Sequence, residues 1–182
     1  MTDWCRTPIE RIALVALTTL LAGCAAIPRA VETPRLGVAV DPAIVSTQAL
    51  NVFPDGRGLP AGRGTVAEGA RLFLQHCAGC HGKDGRGGSA EELTGASRPL
   101  NSPAADKTIG SYWPYATTLF DFIRRAKPMN APGTLKPDEA YALSAWLLHA
   151  NGVIGADAVM DAQSLAAVRM PNRDGFMRIE AP

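Results

Sequence analysis

The stretch QHCAGCHGKDGRGG, residues 75–88, decides how the rest of the chain is read. Two cysteines, Cys77 and Cys80, stand two residues apart, His81 follows at once, and glycines loosen what comes next. A redox-active Cys-x-x-Cys calls for a βαβ setting, and no such pattern surrounds this one. A structural zinc site wants four ligands. Apart from His76 beside the motif and the distant His149, the chain offers no second ligand pair. Cys-x-x-Cys-His is instead the pattern for covalent attachment of a c-type haem. The two thiols add across the two vinyl groups, and the adjacent histidine meets the iron from the same side. Cys77 and Cys80 are therefore the expected thioether residues and His81 the expected proximal iron ligand.

Working towards the amino terminus, Thr65-Val66-Ala67-Glu68 has the spacing of a capping box, which starts a helix. Val66, Ala70, Phe73 and Cys77 then recur on one face at helical spacing. Gly69 lies beside that face. A mid-helix glycine costs about 1 kcal/mol against alanine, which is easier to explain if another backbone crosses there. Upstream, residues 25–64 read as a tether: Pro28, Pro34, Pro42, Pro54 and Pro60 interrupt any helix. Ile44, Val45, Leu50, Val52 and Phe53 give part of it the means to wrap the domain.

The first residues read as an export signal. Arg6 and Arg11 precede or border an apolar run, Ile12 to Leu21, which is too short for an ordinary membrane-spanning helix. It ends in Leu21-Ala22-Gly23-Cys24, which resembles the bacterial lipoprotein box. That resemblance implies removal of residues 1–23, Cys5 included, and acylation of Cys24. Ala25 and Ala26 follow, with no aspartate. By the same resemblance this favours the outer membrane, facing the periplasm. Only Cys77 and Cys80 then remain in the folded part.

Downstream of the motif, residues 82–110 are rich in glycine and proline and read as loop. A helix is expected from about Trp113 to Ala126, with Pro114 in its first turn and Arg124 and Arg125 at its end. The loop KPMNAPGTLK, 127–136, leads to a last helix from Pro137 to Ala150. Asp138 and Glu139 sit in its first turn, Leu143, Trp146, Leu147 and Ala150 form its stripe, and Asn151-Gly152 stops it. No convincing strand is visible, and residues 153–182 read as a helical turn and an irregular tail that forms an extension packed on the domain.

An electron-transfer haem needs a second axial ligand, and methionine opposite histidine raises the potential. Met129 is the methionine of the loop before the last helix and is the expected ligand, with Lys127 as local competitor. Phe73, Leu119, Phe120, Ile123, Leu143, Trp146 and Leu147 are expected around the haem. Arg98, Tyr112, Trp113 and Tyr115 are candidate donors to its propionates. His76 and His149 read as surface or packing residues. The 182 residues carry 18 Lys+Arg against 17 Asp+Glu, a net charge of +1, which gives no field for nucleic acid.

Glu68-Gly69-Ala70-Arg71-Leu72-Phe73 before the motif, and Ala140-Tyr141-Ala142-Leu143-Ser144-Ala145-Trp146-Leu147 after it, resemble the first and last helices of class I cytochromes c. The resemblance covers roughly residues 65–152. It implies an all-α fold of small helices around one covalent haem c, with Gly69 and Trp146 at a helix crossing. Residues 108–154, with the tail VRMPNRDGF at 168–176, are similar more narrowly to cytochrome subunits that accompany molybdenum sulfite dehydrogenases and the sulfane dehydrogenase of sulfur-oxidising bacteria. Many such relatives place methionine where Lys127 stands; here the methionine comes two residues later. The narrower resemblance implies an electron-transfer subunit in the periplasm. It would take electrons from a molybdopterin catalytic subunit and pass them to a downstream cytochrome or terminal oxidase, with no catalytic residue of its own. A free-standing membrane-tethered shuttle, or a haem enzyme or sensor with an exchangeable sixth ligand, are the alternatives.

Overall fold

The computed structural model describes residues 37–48 and 50–177. The expected signal segment and the acylation site Cys24 lie outside the described residues. From Asp41 onward the chain forms one unit. Its elements run α1 (Pro42–Gln48), β1 (Arg63–Thr65), α2 (Val66–His76), α3 (Ala78–His81), α4 (Ile109–Tyr112), α5 (Ala116–Ala126), α6 (Pro137–Ala150), β2 (Val159–Asp161) and α7 (Ala162–Ala167). Among the described residues no helix is long and apolar enough to cross a membrane.

The helix starts follow from local chemistry. Thr65 Oγ1 accepts the Glu68 N–H at 3.2 Å, and Glu68 Oε2 accepts the Thr65 N–H at 2.9 Å, so two orphan donors of α2 are satisfied at once. Pro137 opens α6, and Glu139 Oε2 accepts the Lys136 N–H at 2.8 Å. Asn151 closes α6: its side-chain amide donates to Leu147 O at 2.8 Å and to Leu93 O at 3.1 Å, which ties the long loop to the helix end.

α6 is the centre of the unit. Ala140, Tyr141, Leu143, Ala145, Leu147 and Leu148 are all buried, whereas Trp146 is half-buried and Ala150 is exposed. The narrow stripe expected from spacing is thus too small: α6 is apolar almost all round because neighbours enclose it on several sides. Against it lies α2, with Gly69 at the crossing. A Cβ on Gly69 would stand 1.9 Å from Ala142 O and 2.7 Å from Trp146 Cβ. Next to the crossing, Phe73 stacks on Trp146 with centroids 3.9 Å apart. The Gly69–Trp146 crossing implied by the resemblance is present.

Three expectations need correction. The helix expected over 113–126 starts only at Ala116, as α5, with Trp113 and Tyr115 extended before it, and the separate turn α4 begins at Ile109, where loop was expected. A residue before proline is pushed out of helical geometry, and Trp113 sits at ψ 126°. Two strands were not visible in the sequence: β1 pairs antiparallel with β2, Gly64 opposite Met160. Each has only three residues, too few to show alternation. Proline also fails to keep helix out of 25–64. Pro42 occupies the first turn of α1, and Asp41 Oδ1 caps it by accepting the Ala43 N–H at 2.8 Å.

Residues 50–64 run along the domain as a strap. The Val52 N–H donates to Asp121 Oδ1 at 3.1 Å, Tyr141 Oη donates to Pro60 O at 2.8 Å, and the Arg63 N–H donates to Asp138 Oδ1 at 2.7 Å. Val52 packs against the core, whereas Ile44, Val45 and Phe53 are exposed. At the other end Met160, Leu165 and Met170 are buried in the same core.

Candidate haem site

The motif straddles a break between helices. The Cys77 N–H still bonds Phe73 O at 2.9 Å, closing α2, and the His81 N–H bonds Cys77 O at 3.0 Å, forming the single turn α3. This turn carries Cys80 and His81 round the end of α2. Cys77 and Cys80 are not joined to each other as a disulfide. Burial pushes the Cys77 thiol up to about 11, against the opposing field of Lys127. Among the described residues no group of three His, Cys, Asp or Glu side chains could hold a metal ion, which argues against a structural zinc site.

A cleft opens beside Cys77 and His81, with about 960 Å³ of empty space when its open mouth is included. Phe73, Leu119, Ile123, Leu143 and Leu147 line it, as the sequence leads one to expect, and Leu93, Ile109 and Leu135 complete the apolar walls. Phe120 and Trp146 stand behind these walls: Phe120 packs on Tyr141 at 4.4 Å between centroids, and Trp146 on Phe73. His81 Nδ1 lies 2.7 Å from Glu91 O. With the proton on Nδ1 donated to that carbonyl, Nε2 is left with its lone pair for a metal, the usual way a backbone acceptor fixes a ligating histidine. An apolar slot edged by Cys77 and such an imidazole, with Cys80 on the outer groove that adjoins it at Cys77 and His81, fits a covalently held haem.

The expected propionate donors separate. Trp113 lines the cleft. Tyr112 and Tyr115 do not border it: the carboxyl-terminal tail holds them, with Phe176 edge-on to Tyr112 and the Arg173 guanidinium 4.2 Å over Tyr115. Arg98 is not at the cleft either. Its Nε donates to Asp106 Oδ1 at 2.8 Å and its Nη2 pairs with the same oxygen, holding the Asp106 carboxyl well below the usual carboxylate range. Lys107 does border the cleft, with its ammonium 5.4 Å from the Tyr112 ring centroid. No spacing in the sequence marks it; only its place directly before α4 could have done so.

His76 is exposed at the cleft edge, and His149 lies at the end of α6 with Nδ1 3.2 Å from Ile154 O. Met129 borders only an outer groove that also touches Cys80 and His81, and its side chain is 81% exposed. Lys127 borders both the outer groove and the inner cleft.

These features define a small all-α protein built to carry a haem on two thioether links. The family model for cytochrome c matches residues 66–151, and the chain belongs to the cytochrome c family. Its cofactor is covalently bound haem c and its general role is electron transfer. The structure is also similar to a chain of the sulfane dehydrogenase SoxCD from Paracoccus pantotrophus. The TM-score is 0.76 and the identity 38%, over 81% of this chain and 73% of that one. No curated protein matches the chain.

Proposed function

We propose that the chain is the haem subunit of a sulfur-oxidising enzyme. It takes electrons from a molybdenum sulfite or sulfane dehydrogenase catalytic subunit and passes them towards the respiratory chain through a downstream cytochrome or terminal oxidase. It works in the periplasm, held to the outer membrane by acyl chains on Cys24. The observation that carries this reading is the 38% identity to a SoxCD chain over 81% of the sequence, which reaches well beyond the haem domain.

Bound haem c supplies one-electron chemistry. The protein's own residues do the rest. Cys77 and Cys80 hold the group so that it cannot be lost outside the cytoplasm. His81 presents Nε2, oriented by the Glu91 carbonyl. Phe73, Leu119, Leu143 and Leu147 keep water from the buried face, which lowers the local dielectric and with it the reorganisation that accompanies a change of charge. Trp113 and Lys107, which line the cleft, would offer donors to the negative propionates.

The test is purification of the native protein from membranes, followed by anaerobic addition of sulfite or a sulfane-sulfur substrate. Co-purification with a molybdopterin subunit and substrate-driven reduction of the haem are expected. Recovery of the cytochrome alone, reduced only by a respiratory complex, would replace this reading with a free-standing shuttle. A Cys24→Ser variant should appear in the soluble periplasmic fraction; continued membrane attachment would refute the anchor.

A further inference from the structure

Two side chains leave the loop after α5 on the way to the cleft, and they are placed differently. Lys127 follows α5 directly, its N–H bonding Ile123 O at 3.1 Å, and it is half-buried. It lines the inner cleft together with His81, Ile123 and Leu135. Its ammonium lies 5.1 Å from the Phe122 ring centroid, and its charge is felt at the Cys77 thiol. Glu91 and Glu92 border the same cleft, yet neither forms an ion pair with Lys127, and no other carboxylate does so among the described residues. Met129, two residues on, is 81% exposed and borders only the outer groove, at the rim of the site with Cys77, Cys80 and His81, and not the apolar cleft. Between them Pro128 is buried and restricts the backbone, so the two side chains cannot exchange places by a small rotation.

We propose that the Lys127 amine, not the Met129 thioether, is the sixth ligand of the haem iron. This rests on the haem reading of the cleft. The Lys127 ammonium gives its proton to solvent water. The freed nitrogen lone pair then forms the bond to iron in place of a weakly held water, with no change of oxidation state. An aliphatic amine is a harder donor than a thioether and favours ferric iron, so the potential lies below that of a His/Met haem.

The test uses the full chain produced with haem attached, in the wild type and as Lys127→Ala, Lys127→Met and Met129→Leu. Haem content is read from the pyridine haemochrome, and ligation from the absorption and electron paramagnetic resonance spectra of the ferric protein. The wild type is expected to be low-spin without the far-red sulfur-to-iron charge-transfer band, and Met129→Leu is expected to look the same. Lys127→Ala should lose the low-spin signal and take up added cyanide that the wild type excludes. Lys127→Met should gain the far-red band, which a merely structural lysine would not produce. A far-red band in the wild type that disappears in Met129→Leu would overturn the proposal. So would a low-spin spectrum unchanged in Lys127→Ala, or a wild type that is already high-spin. Absence of haem from every preparation would instead overturn the reading of the cleft itself.

Discussion

Replacing Gly69 by alanine tests the packing on which the cleft depends. The new methyl would begin 1.9 Å from Ala142 O, 2.6 Å from Ala142 C and 2.7 Å from Trp146 Cβ. Real Cβ atoms keep at least 3.0 Å, so α2 and α6 must part by about 1.1 Å or more along this line. The nearest atoms belong to backbone, which cannot rotate away. A gap of 0.5–1 Å already forfeits roughly a quarter to a half of each dispersion contact, and the Phe73–Trp146 stack at 3.9 Å lies one turn away. Overpacking of this kind costs about 1–3 kcal/mol, with the upper end expected here. The better helix propensity of alanine returns about 1 kcal/mol. The net expectation is a loss of about 2 kcal/mol. It is measured by guanidinium unfolding of the holoprotein, followed in the far ultraviolet and at the Soret band. Gly79→Ala, where an added Cβ meets nothing within 4 Å, is the control and should stay within about 0.5 kcal/mol of wild type. A Gly69→Ala protein as stable as that control would refute the close approach of the two backbones.

Tyr141→Phe removes the hydrogen bond to Pro60 O and should cost about 1 kcal/mol, with faster proteolysis in residues 50–62. Burial pushes the Tyr141 hydroxyl from 10.0 up to about 12, so the folded state holds its proton longer than the unfolded one. Stability should therefore fall as pH rises from 10.0 to about 12, and Tyr141→Phe should flatten that limb; an unchanged alkaline limb would count against it. Asp106 behaves with the opposite sign. Its depressed carboxyl, held first by the Arg98 side chain and then by the Arg98 and Ser97 N–H groups, supports the 97–106 loop above the ordinary value of 3.8 and loses that support only in stronger acid. Amide exchange at Ser97 and Arg98 should stay slow at pH 3.8, and Asp106→Asn should abolish the acid transition; an identical transition in the variant would refute the assignment.

Local signals in the sequence were reliable where one stretch of chain decides the outcome. The capping box at Thr65 and Glu68, Pro137 at the head of α6 and Asn151-Gly152 at its end all concern groups within four residues of each other. The motif of Cys77, Cys80 and His81 is of the same kind, since it needs only one turn of helix. The failures involve partners that spacing cannot show. Arg98 reads as a free cation until Asp106, eight residues on, is seen to occupy it. Lys107 carries no mark of its place at the cleft. β1 and β2 are each too short to be recognised alone and exist because 95 or more residues of chain return to pair Gly64 with Met160. Met129 and Lys127 differ by two positions in sequence, yet one is exposed and the other lines the slot.

The long-range contacts converge on α6, and this ties the fold to its cofactor. Tyr141 holds the strap, Ala142 receives the backbone of α2 at Gly69, and Asn151 holds the loop that carries Leu93. On the remaining side of the same helix, Leu143 and Leu147 face the cleft. A group bound in that cleft therefore packs on α6 through Leu143 and Leu147. Such a group adds stability in proportion to its preference for the folded state, and a covalent link raises its effective concentration far above that of a free ligand. The apolar walls that suit a haem are poor surfaces to leave in water. Strap, first helix and loop should thus loosen together when the thioether links are absent. Partial unfolding confined to the loop around His81, with the Phe73–Trp146 crossing unaffected, would show that α6 does not couple them.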